Sequence, residues 1–84
     1  MIIIYTSQAK DDLARIDWRI RETLIKDLEK LSTVSDKEWP IQHLGEQNLS
    51  KVLVGDYAII GQMSRTEFSI LSVLKRPKIK VPQE

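Results

Sequence analysis

Gly55-Asp56 separates two runs, Leu49–Val54 and Tyr57–Met63, that are rich in β-branched residues. Two residues are the tightest common loop between antiparallel strands. Glycine in the first position suits a type II′ turn, whose twist matches that of the strands it joins. A loop this short also fixes register. Val54 must oppose Tyr57, Val52 must oppose Ile59 and Lys51 must oppose Ile60, because a one-residue slip turns every side chain to the wrong face. A second loop at Arg65-Thr66 extends the pairing to a third run, Phe68–Leu74, with Met63 opposite Phe68 and Gly61 opposite Ile70. One face then carries Val52, Val54, Tyr57, Ile59, Met63, Phe68 and Ile70. The other carries Lys51, Leu53, Ala58, Ile60, Gln62, Leu71, Val73 and Lys75, and is mostly apolar with a lysine rim. On this register Tyr57 belongs to the core.

The first half of the chain supplies what covers one of these faces. Met1 to Thr6 reads as a strand, and its unbroken isoleucines predict burial on both sides, hence an inner position in the sheet. Ser7 is the expected N-cap of a first helix, with Ala9, Leu13 and Ile16 at helical spacing and Asp11 and Asp12 in its first turns. Asp17 is placed to cap a second helix, where Ile20, Leu24, Leu28 and Leu31 form an apolar stripe and Glu22 and Lys26 pair on the wet side. Trp18 at the junction reads as packing. Residues 32 to 48 read as an irregular connection, with a capping-box start at Ser35-Asp36-Lys37-Glu38 and a stop at Trp39-Pro40. His43, the only histidine, falls in that connection and reads as a loop residue; Trp39 is a candidate for packing or for stacking on a base. The fold class is therefore α+β: one domain over residues 1–84, with an N-terminal strand and a two-helix hairpin packed on one face of a mostly antiparallel sheet of about four strands. An apolar sheet face left open by only two helices marks a binding surface.

Composition sharpens this. The 84 residues include no cysteine, which excludes a disulfide framework or a thiolate metal site, and no second histidine or carboxylate cluster offers metal-ligand spacing. No metal or cofactor is expected. The Met1–Tyr5 run is too short for a membrane span and has no basic leader, so no membrane partner and a cytoplasmic location are expected. Charge is segregated: residues 1–48 carry a balance of −2 and residues 49–84 a balance of +3, within a net charge of +1. Lys75, Arg76, Lys78 and Lys80 cluster near the end. Such a basic end suits a polyanion or an acidic protein, against the plainer reading of a solvated tail.

Taken in order, Ala9-Lys10-Asp11-Asp12-Leu13, Arg21 to Leu31, His43-Leu44-Gly45, Val54-Gly55-Asp56-Tyr57 and Ile70-Leu71-Ser72-Val73-Leu74-Lys75-Arg76 resemble the RelE/ParE toxin superfamily. The resemblance spans nearly the whole chain. Each motif is common alone, and the order and spacing carry the likeness. It implies a bacterial toxin of a type II toxin–antitoxin system, neutralised by a cognate antitoxin, with DNA contacted only through that antitoxin. The compact helical hairpin is more similar to the RelE branch, whose members cleave mRNA on the ribosome. The alternatives are the ParE branch, which inhibits DNA gyrase without cleaving anything, and a degenerate member that acts as an interaction module.

Cutting RNA through its 2′-hydroxyl requires a proton acceptor, a proton donor for the leaving oxygen and positive charge at the phosphate. The resemblance assigns these tasks to Lys51, Lys75 and Arg76, with Lys78, Lys80 and Arg65 as candidate RNA contacts. The chain also departs from the family pattern. Ala58 stands where an arginine usually follows the turn tyrosine, Leu53 occupies a second basic position, and no tyrosine follows Arg76.

Overall fold

In the computed structural model, which describes residues 1–34, 38–45 and 48–76, the Gly55-Asp56 hairpin sits in the middle of a five-stranded sheet. The elements run β1 (Ile2–Tyr5), α1 (Ser7–Ala14), α2 (Trp18–Ser32), β2 (Ile41–Leu44), β3 (Leu49–Val54), β4 (Tyr57–Met63) and β5 (Glu67–Lys75). The sheet order is β1-β5-β4-β3-β2, with β1 parallel to β5 and every other pair antiparallel. Gly55 adopts φ +58°, the left-handed value a II′ turn needs at its first position. The expected pairs Val54–Tyr57, Val52–Ile59, Lys51–Ile60, Met63–Phe68 and Gly61–Ile70 all form.

Both helices pack on one face. Their buried residues Ala9, Leu13, Leu24 and Leu28 meet Val52, Val54, Tyr57, Ile59, Phe68, Ile70 and Val73 from the sheet. Asp17 caps α2 by accepting from the Arg19 N–H at 2.9 Å, as its sequence predicts. Trp39 is packing rather than display. It is 5% exposed, meets the Phe68 ring edge-to-face at 5.6 Å between centroids, and donates its indole N–H to the Leu31 carbonyl at 2.7 Å. That bond is a second one to a carbonyl in the last turn of α2, which also accepts from the Val34 N–H at 3.1 Å.

Five expectations need correction. Trp18, read as packing at the helix junction, is 55% exposed, with the Arg19 guanidinium 5.5 Å from its ring centroid. β1 is an edge strand, not an inner one: Ile2 and Ile4 are 61% and 38% exposed, while Ile3 and Tyr5 turn toward the helices. The first helix is capped by Thr6, whose Oγ1 accepts from the Ala9 N–H and donates to the Ile70 carbonyl at 2.6 Å, tying the cap to β5. The connection between helix and hairpin contains a strand, β2, which pairs with β3 and includes His43. Finally, β5 is not a plain strand. Ile60 pairs with Ser72 but Gly61 pairs with Ile70, so Leu71 is an extra residue in a β-bulge. Everything after Leu71 is therefore reversed in facing. Val73 lies in the core opposite Ile59, Lys75 lies opposite Tyr57 on the helix side, and Leu74 lies on the open side, 54% exposed. Ser35, Asp36 and Lys37, the start of the expected capping box, lie outside the described residues.

Candidate functional site

Strand alternation and the observed register build the open face in rows. Nearest the hairpin turn run Leu53, Ala58 and Leu74; next come Gln42, Lys51, Ile60 and Ser72; beyond them lie Leu44, Leu49, Gln62, Ser69 and Ile4. Apolar side chains make up the first row, whereas in the second Ile60 is the apolar neighbour of Lys51, with Gln42 on its other side. Among the described residues, Lys51 is the one basic side chain within the strands of this face. It is half-buried, between Gln42 and Ile60 across the sheet and between Leu49 and Leu53 along its own strand.

The expected catalytic residues do not converge. Lys75 stands on the far side of the sheet, at the rim of a groove of about 380 Å³ shared with Arg19, Ile20, Leu24, Asp27, Asp56 and Tyr57. Arg76 follows it at the strand exit, exposed, with its N–H donating to the Asp56 carbonyl at 2.7 Å. Strand geometry puts the Arg76 backbone about 13 Å along and about 10 Å across from that of Lys51, or roughly 16 Å away. Two long side chains would have to reach straight toward each other to share one phosphate. Arg65 lies in the exposed loop between β4 and β5, at the other end of the sheet from Arg76. Lys78 and Lys80 lie outside the described residues. His43 shares the helix side of the sheet with Ile41, opposite in facing to Lys51, and is exposed on edge strand β2. Among the described residues, no group of three His, Cys, Asp or Glu side chains is placed to hold a metal ion, and no helix is long and apolar enough to cross a membrane.

A titratable group with a shifted pKa lies elsewhere. Burial, and secondarily the Glu29 carboxylate, raise the Tyr5 phenol above its ordinary value. Tyr5 and Glu29 line a larger groove, about 610 Å³, beside β1 with Lys10, Leu13 and Ile25. Periodicity could not reveal either groove, since both depend on how the helices sit against the sheet ends.

No sequence-family model matches the chain, and no curated protein matches it. Solved structures do. The chain is similar to a chain of the RelBE2 toxin–antitoxin complex from Mycobacterium tuberculosis, with 19% identity, TM-score 0.72, and coverage of 89% of this chain and 96% of that one. It is similar to a chain of the chromosomal ParDE system of P. aeruginosa, with 12% identity, TM-score 0.74, and coverage of 92% and 97%. It is also similar to the isolated E. coli RelE toxin, with 17% identity, TM-score 0.72, and coverage of 94% and 87%. At these identities the likeness is one of architecture, and it reaches both branches equally. The chain has the RelE/ParE toxin fold.

Proposed function

We propose that this chain is the toxin component of a type II toxin–antitoxin pair, acting through its open sheet face by binding a protein target and neutralised by a cognate antitoxin. Support for the toxin role comes from the fold shared with RelE and ParE structures, some of them toxin–antitoxin complexes. Support for protein binding comes from one observation: the open face carries an apolar row, Leu53, Ala58 and Leu74, beside Lys51, with Lys75 turned to the opposite side. Apolar area with a central charged anchor suits a protein interface. An RNA-cutting surface calls instead for several cations gathered round one phosphate.

Ribosome-dependent mRNA cleavage is the second reading. It is favoured by Lys51 in mid-face and by the basic residues Arg65, Arg76, Lys78 and Lys80 that the sequence offers to the RNA backbone. One experiment separates the two. The chain is induced alone in bacterial cells, growth is followed, and mRNA 5′ ends are mapped. Growth arrest with intact mRNA, relieved by the product of an adjacent gene, is the expected result. Codon-phased cuts that vanish in Lys51→Ala would select the second reading, and unimpeded growth by soluble protein would reject both.

A further inference from the structure

The two edges of the sheet are guarded differently. β2 begins just after Pro40 and has polar Gln42 and His43 at its centre, which makes it a poor template for a further strand. β1 has no such guard, since Ile2–Tyr5 holds no charge and no proline. Its backbone alternates in direction. The Ile2 N–H donates to the Thr66 carbonyl at 2.8 Å and the Thr6 N–H to the Ile70 carbonyl at 3.3 Å, so Ile2, Ile4 and Thr6 face β5. The N–H and C=O groups of Ile3 and Tyr5 therefore point out of the sheet, with no further strand beyond them among the described residues. On the helix side of this edge lies the groove of about 610 Å³, walled by Ile3, Leu13 and Ile25 and carrying one charge of each sign, Lys10 and Glu29. On the open side, Ile2 and Ile4 are 61% and 38% exposed. Free pairing groups with apolar surface on both faces are what strand addition requires.

We propose that this edge pairs with β1 of a second copy of the chain, antiparallel, about a two-fold axis through Ile4. Its charge suits its own copy: the strand is neutral, and the groove beside it offers a two-fold mate one cation and one anion, Lys10 and Glu29. Antiparallel strands exchange hydrogen bonds between residues whose backbones both face the junction. Ile3 then opposes the partner's Tyr5, and Tyr5 opposes the partner's Ile3, so every outward N–H and C=O of these residues is met. Between them Ile4 meets the partner's Ile4 on the open side. An axis normal to the sheet keeps both pairs of helices on one side, so the two open faces join into one continuous surface. The pairing rests on the geometry of β1 and does not depend on the toxin reading.

The chain contains no cysteine, so single cysteines report the register. In a non-hydrogen-bonded antiparallel pair the Cα atoms lie about 4.5 Å apart, within disulfide reach. Ile4→Cys is expected to give a disulfide-linked dimer under mild oxidation. Ile2→Cys is not, because the two copies of position 2 would stand roughly 13 Å apart along the junction, although Ile2 is the more exposed. Sedimentation of the wild-type chain over a micromolar dilution series should show a dimer. Ile3→Pro removes an outward N–H and leaves the β1–β5 ladder intact, and should weaken that dimer by about tenfold or more. A wild-type monomer at every concentration would overturn the proposal, as would a dimer indifferent to Ile3→Pro. Should Ile3→Pro not fold, the cysteines decide: crosslinking by Ile4→Cys alone supports the pairing, and crosslinking that follows exposure, with Ile2→Cys the faster, overturns it. A monomer whose Ile3 and Tyr5 amides gain exchange protection only with the product of an adjacent gene would give the edge to that protein and overturn the second copy as its occupant.

Discussion

Replacing Trp39 with phenylalanine is the most informative single perturbation of the core. Trp39 is almost fully buried, joins the end of α2 to the sheet through Leu31, and stands edge-on to Phe68. The substitution keeps an aromatic ring but removes the indole N–H, so the Leu31 carbonyl loses one donor while keeping the Val34 N–H, a net cost of about 1 kcal/mol. The smaller ring adds a cavity and loosens the aromatic pair, so a total near 2 kcal/mol is expected. For a domain of this size that corresponds to a fall in Tm of about 8–16 °C. Full truncation to alanine would remove about 3–5 kcal/mol, a large share of what holds an 84-residue domain together. Urea unfolding followed by circular dichroism measures the difference. The remaining tryptophan, Trp18, is 55% exposed, so the variant's folded fluorescence should resemble that of solvated indole. A loss below about 0.5 kcal/mol, within the range of ordinary surface substitutions, would refute the assignment of Trp39 as the link between α2 and the sheet.

Two further outcomes follow from the same geometry. A Cβ at Gly61 would overlap the Ser69 carbonyl oxygen and lie 2.7 Å from Phe68 Cε1, so Gly61→Ala should destabilise by about 3 kcal/mol or more; near-wild-type urea stability would contradict the packing. Tyr5 has a folded pKa raised above 10.0, chiefly by burial and then by Glu29. Its neutral form is the one the fold favours, so its contribution to stability is complete below about pH 10 and is lost as pH rises through the folded value. Glu29→Gln should lower the titration of Tyr5 without returning it to 10.0, read as tyrosinate absorbance, and no change would remove Glu29 from the account.

The hairpin was legible in the sequence because a two-residue loop leaves a strand pair no freedom of register, and Gly55-Asp56 names that loop outright. The capping aspartate of α2 was legible for a similar reason, since its signal is local. What escaped depends on distant partners. The bulge carries no glycine to announce it, and the Asp12 carboxylate that accepts the Val73 N–H beside it lies 61 residues away. β2 is four residues long with Gln42 and His43 at its centre, too short and polar to show a strand period. An unbroken run of isoleucines predicts burial on both faces of β1, but a sheet with both helices on one side leaves Ile2 and Ile4 exposed on the other. For the candidate site, Lys51 was placed on the open face by the turn alone, whereas the facing of Lys75 was reversed by the bulge.

The measurement that bears most directly on the account compares the two sides of the sheet in one assay. Leu53→Glu alters the apolar row of the open face, and Lys75→Ala alters the rim of the groove on the helix side. Both are induced in bacterial cells without a partner, after circular dichroism has shown each to be folded, and growth is compared with wild type. Leu53→Glu is expected to abolish growth arrest and Lys75→Ala to retain it. Arrest that persists in Leu53→Glu but disappears in Lys75→Ala would place the acting surface on the helix side and contradict it.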